Sequence, residues 1–119
     1  MEDYMLGIVE AHFADLIWEN EPIRSGELVR LAEEKLEWKK STTYTVLRKL
    51  CDKGIFRNQE SLVTSLVSRN QYYGRQGRRL VEEKFEGSLP GFLAAFTEGE
   101  RLSTEDVAAL KKLIEENAE

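Results

Sequence analysis

The chain has 119 residues, 41% hydrophobic and 33% charged, with a formal net charge of −5. This composition fits one small globular domain with an appendage and excludes a disordered chain. It also excludes uniform coating of a polyanion, though not a local basic patch. No apolar run reaches the roughly 18 residues a membrane helix needs. The acidic start "MEDYML" is wrong for a secretory signal, and the single cysteine, Cys51, cannot form an internal disulfide, so the expected location is cytoplasmic.

In chain order, residues 5 to 19 predict a first helix, with Leu6, Val9, Phe13, Leu16 and Ile17 as its apolar stripe. Pro22 ends it, and Ile23 and Arg24 leave room for a very short extended piece. Ser25 reads as the N-cap of a second helix reaching about Leu36, with Leu28, Leu31 or Ala32, and Leu36 facing inward. A third helix is predicted over Ser41 to Lys53, stopped by Gly54. The period then changes to a two-stranded hairpin over 55–59 and 62–67, turned by Asn58 to Ser61. Helices follow from a Ser68 cap to about residue 85, through "GSLPGFLAAF", and from a Ser103 cap, where Asp106 resembles a capping-box partner.

Three helices and a hairpin are the order of a winged helix domain, in which the third helix lies in the DNA major groove. The charge distribution agrees. From Lys39 to Arg57 there are six basic residues (Lys39, Lys40, Arg48, Lys49, Lys53, Arg57) against one acid, Asp52. The third helix also has two faces. Thr43, Leu47 and Leu50 lie on the inward side, with Val46 beside them. Thr42, Thr45 and Lys49 recur at i, i+3 and i+7 on another side, with Ser41 and Arg48 at its edges. Hydroxyls and a threonine methyl suit base edges, and lysine suits phosphate or guanine. Lys39 and Lys40 stand at the helix N-terminus, where free N–H groups and the dipole favour a phosphate.

The segments "LIWENEP", "SGELVRLAEEKLEWKKSTTYTVLRKLCDKGIF", "SLVS" and "FEGSLPGFLAAF" resemble the penicillinase-repressor (BlaI/MecI/CopY) family of transcriptional repressors over nearly the whole chain. The most specific matches are Trp18, the Thr42/Thr45 pair, the Lys49, Leu50, Lys53, Gly54 ending and the Gly87-Ser88-Leu89 lead-in to the fifth helix. The resemblance implies a homodimeric winged helix repressor of an inverted-repeat operator, with Ser41, Thr42, Thr45 and Lys49 reading DNA and the C-terminal helices holding the dimer. It further implies a sensor protease as partner, cleaving an Asn-Phe bond in the fifth helix; Ala95-Phe96 stands at the matching place. Copper-sensing members end in a cysteine cluster that this chain lacks. Where the family often has Ser-Pro before the recognition helix, this chain has Lys39-Lys40.

The expected fold is therefore mainly α with a small β-hairpin wing: a winged helix-turn-helix domain over 1–68 and a helical dimerisation region over 69–119. A segment of the latter size seldom buries enough apolar surface alone. Tyr73, Leu80, Phe85, Leu89, Phe92, Leu93, Phe96, Val107, Leu110 and Ile114 are the candidate dimer contacts. No cofactor or metal is expected, since no cysteine–histidine cluster or glycine-rich phosphate loop occurs. The lone His12 has no evident catalytic partner, so no enzymatic activity is expected. Two other readings stay open: a winged helix used only for protein interaction, and a regulator with an effector in its C-terminal helices.

Overall fold

The computed structural model describes residues 6–119. Along them run α1 (Ile8–Asn20), β1 (Ile23–Arg24), α2 (Ser25–Leu36), α3 (Lys40–Asp52), β2 (Phe56–Gln59), β3 (Leu62–Ser65), α4 (Arg69–Lys84), α5 (Leu89–Thr97) and α6 (Thr104–Glu116). The chain divides into two compact units, the first ending at Gly77 and the second running from Arg78 to Glu119. The architecture is mostly helical with a small antiparallel sheet, as a winged helix domain and a helical region require.

The first unit is built around one apolar core. Phe13, Ala14 and Ile17 enter it from α1, Leu28 and Ala32 from α2, and Leu47 and Leu50 from α3. Ile55, Phe56, Val63 and Val67 close it from the hairpin side, and Tyr72 from α4. Burying the leucine, isoleucine, valine and phenylalanine side chains among them is worth about 1.5–3 kcal/mol each, which is what fixes three short helices that would fray in isolation. Trp18 joins the parts. Its indole Nε1 donates to the Val67 carbonyl at 3.0 Å, and its ring lies 5.3 Å from Phe56 and 5.7 Å from Tyr72. Trp38, between α2 and α3, packs on Phe13 with ring centroids 5.0 Å apart.

Several local expectations are revised. Position 5, the expected start of the first helix, lies outside the described residues. The helix begins at Ile8 after Gly7, whose N–H donates to the Glu10 carboxylate at 3.1 Å. Val9 points to solvent, and Ala14 takes the inward place, because the core face is centred on Phe13 and Ile17. Ser25 is not a cap. It is the first residue of α2 and is buried, and its hydroxyl accepts from the Tyr44 O–H at 3.2 Å. That bond ties the start of α2 to α3.

The hairpin becomes a sheet of three strands, ordered β1-β3-β2. Ile23 pairs with Val63 and Arg24 with Leu62, while Phe56 to Gln59 pair with Ser65 to Leu62. The strands are shorter than expected at the base. There the Ile55 carbonyl instead accepts from Leu66 and Val67 N–H at 2.8 and 3.2 Å. At the tip, Glu60 and Ser61 both have positive φ, 53° and 64°, the geometry of a two-residue primed turn matching strand twist. The Ser61 carbonyl accepts from Ser25 N–H at 2.8 Å, anchoring the wing to α2.

At the start of α4, Ser68 and Gln71 cap each other. The Ser68 hydroxyl accepts from Gln71 N–H at 3.0 Å, and the Gln71 side chain accepts from Ser68 N–H at 2.8 Å. In the second unit the expected Ser103 cap is present, accepting from Asp106 N–H at 3.0 Å. Ser88 caps α5 in the same way through Gly91 N–H, at 2.9 Å. No residue of this unit is buried.

Candidate nucleic-acid interface

The third helix turns one face into the core and the other to solvent. Thr43, Leu47 and Leu50 are buried. Thr43 is tolerated there because its hydroxyl donates to the Lys39 carbonyl at 3.2 Å, leaving its methyl to the core. Ser41, Thr42, Thr45, Arg48 and Lys49 are all exposed, as are Lys39 and Lys40 before them and Arg57 on β2. A rigid apolar back and a polar front are what a reading helix needs, since base contacts demand fixed side-chain positions.

The hydroxyls on that front are not equivalent. Thr45 Oγ1 donates to the Ser41 carbonyl at 2.9 Å, so it offers a neighbour only its lone pairs and its methyl. Those fit an exocyclic amine of adenine or cytosine and the methyl of thymine. The Ser41 and Thr42 hydroxyls have no partner among the described residues and are free to donate or accept. Nor does any side chain cap α3: the Lys39 backbone is extended (φ −75°, ψ 157°) and its side chain caps nothing. The first N–H groups of the helix therefore face outward beside two lysines, a place for a phosphate.

The six cations of the basic run also differ. Lys53 is half-buried and turned back to α1, 3.5 Å from the Glu10 carboxylate. Gly7 N–H and the charges of Lys53 and Lys49 hold Glu10 below the usual carboxylate range. Lys39, Lys40, Arg48 and Arg57 have no ion pair or hydrogen bond among the described residues. Cys51, on the edge of α3 facing β2, is half-buried, and that burial pushes its thiol pKa up.

Of the ten candidate dimer residues, nine fall in the second unit and Tyr73 in the first. Tyr73 packs edge-on against Tyr72 at 5.0 Å, carries the Arg69 guanidinium 4.9 Å over its ring and donates to Asp15 at 3.4 Å. Among the nine, Phe85, Phe92, Leu93 and Leu110 are half-buried, while Leu80, Leu89, Phe96, Val107 and Ile114 are exposed. Phe92 packs against Phe85 and Phe96 at 5.5 and 6.0 Å. Between α5 and α6 runs an apolar groove of about 370 Å³, lined by Phe92, Leu93, Phe96, Leu102, Ala109, Leu110 and Leu113, with Asp106, among the described residues, the one charged residue of its lining. Leu113, 56% exposed, lay off the Val107–Leu110–Ile114 stripe of the sequence, although its spacing of three from Leu110 is helical.

No helix among the described residues is long and apolar enough to cross a membrane. The family model described as penicillinase repressor matches residues 6–116. A penicillinase repressor of Bacillus licheniformis is 21% identical over 112 residues, covering 91% of this chain and 88% of the relative.

Proposed function

The chain belongs to the penicillinase repressor family, and from that membership we propose that it is a sequence-specific DNA-binding repressor acting as a homodimer on an inverted-repeat operator. The observation that carries this reading is the front of α3. Ser41, Thr42, Thr45 and Lys49 stand exposed over a buried Thr43–Leu47–Leu50 back, with Lys39, Lys40, Arg48 and Arg57 unpaired around them. Lys39 and Lys40, with the uncapped helix start, hold phosphate. Ser41, Thr42, Thr45 and Lys49 reach base edges, and Arg48 and Arg57 meet the backbone toward the wing.

The dimer reading is supported by the second unit, where Leu80, Leu89, Phe96, Val107, Leu113 and Ile114 stay exposed within one chain. Pairing the α5–α6 groove with its copy covers Phe96 and Leu113 and relates two reading helices by a two-fold axis, matching a palindromic operator. A sensor protease acting on Ala95-Phe96 has to unwind α5 first, because both residues lie within the helix.

Selection of bound duplexes from a random pool tests the whole reading. The expected product is an inverted repeat whose half-site centres lie one helical turn or a multiple apart. Enrichment of no sequence, with affinity independent of salt, defeats it and favours a module that binds only protein.

A further inference from the structure

A second concavity lies in the first unit, between the edge of α3 and strand β2. It measures about 460 Å³, within the range of small-molecule sites. Tyr44, Cys51 and Leu66 give it an accessible apolar floor backed by the buried Leu47 and Phe56, and Arg48, Arg57 and Asn58 stand in its lining. Leu66 is 53% exposed and so offers the groove accessible apolar surface. Among the described residues no carboxylate lines the groove; Asp52, exposed on α3 next to Cys51, is not part of it. Neither guanidinium has an ion-pair or hydrogen-bond partner among the described residues.

Two unpaired arginines over an apolar floor set the chemistry of the occupant. We propose that this groove binds a small amphipathic anion, a carboxylate on an aromatic or branched apolar body, and that such a ligand releases DNA. The carboxylate is held by Arg48 and Arg57, whose planar guanidinium groups suit it. The apolar body lies against Leu66, Cys51 and the ring of Tyr44. A DNA phosphate satisfies only the first requirement, since the sugar-phosphate backbone has no apolar body to lay on that floor. Release follows from competition, because the ligand occupies the same two cations that the proposed interface directs at the DNA backbone. The binding claim stands without the DNA reading; the release claim rests on it.

The test uses the full chain labelled with ¹⁵N and two probes of one shape, 1-naphthoate and the neutral 1-naphthalenemethanol. Naphthoate is expected to give saturable amide shifts gathered at 44–51, 56–58 and 66, with the alcohol weaker by about tenfold or more. Arg48→Ala/Arg57→Ala should lower naphthoate affinity to that of the alcohol. Equal affinity for the two probes, shifts that never saturate, or shifts gathered at 92–113 instead overturns the proposal. The probe comparison needs no variant, so a misfolded double variant does not rescue the idea. In a parallel titration, naphthoate should weaken binding of a selected duplex in proportion to its occupancy. Naphthoate binding without duplex binding sinks the DNA reading alone. Duplex binding without naphthoate binding sinks the groove alone.

Discussion

The salt dependence of duplex binding can be worked from the structure. Four cations are left to meet phosphate once Lys53 is set aside with Glu10 and Lys49 with the base edges: Lys39, Lys40, Arg48 and Arg57. Each phosphate neutralised on double-stranded DNA contributes about −0.9 to the slope of log K against log salt, so one protomer gives about −3.6 and a dimer about −7.2. Over a fourfold rise in salt the dimer then loses roughly four decades of affinity and the monomer about two. Fluorescence anisotropy of a labelled selected duplex, titrated at several potassium chloride concentrations, measures this directly. Lys39→Ala/Lys40→Ala removes two cations per protomer and should flatten the dimer slope by about 3.6, with equal effect on all sequences. Thr45→Ala should leave the slope unchanged and relax preference at one base pair. A wild-type slope shallower than about −2, or one indifferent to the loss of both lysines, refutes the assignment of these cations to phosphate.

Three further outcomes are expected. Phe96→Glu or Leu113→Glu places a charge on surface already open to water in one chain. It should leave the thermal transition of the first unit unchanged while converting a dimer to monomers in sedimentation equilibrium, and an unaltered dimer would show that the α5–α6 groove is not the seam. Ser61→Gly relieves a non-glycine residue at φ 64° and should stabilise the first unit in urea unfolding by up to about 1 kcal/mol, net of the added entropy of the unfolded chain; a lowered midpoint would show that this φ carries no strain. Glu10 has its folded pKa lowered, first by Gly7 N–H and then by Lys53 and Lys49. Its contribution is therefore present above its unfolded pKa and lost as pH falls through the folded one. Urea midpoints of wild type and Glu10→Gln should differ at neutral pH and converge in acid; a constant gap would remove the carboxylate from the explanation.

The two-faced third helix was legible because a period of 3.6 separates Thr43, Leu47 and Leu50 from Thr42, Thr45 and Lys49 whatever the rest of the chain does. The exposed apolar set of the last helices was legible for a similar reason: a short segment rich in phenylalanine and leucine has nowhere of its own to hide them. What escaped depends on partners distant in sequence. Ser25 has the chemistry of a cap, yet Tyr44, 19 positions away, takes its hydroxyl. Two residues, Ile23 and Arg24, carry no period, so a third strand could be read only as an extended piece. The groove beside β2 draws on Leu47, Cys51, Phe56 and Leu66, which no spacing rule groups together. Val9 misled because an apolar residue near a helix start fits the stripe by count, while the core lies around Phe13 and Ile17.

The placement of the two tryptophans makes the molecule its own optical instrument. Both lie in the first unit, Trp18 against Phe56 and Tyr72, and Trp38 against Phe13. The stretch from Arg78 onward has phenylalanine but neither tryptophan nor tyrosine. Excitation near the red edge of protein absorption thus sees one unit and is blind to the other, whereas far-ultraviolet dichroism sees the helices of both. Unfolding curves that superpose by the two methods mean a single cooperative event. Curves that part identify the optically silent half as the one that melts separately, with no label added to either.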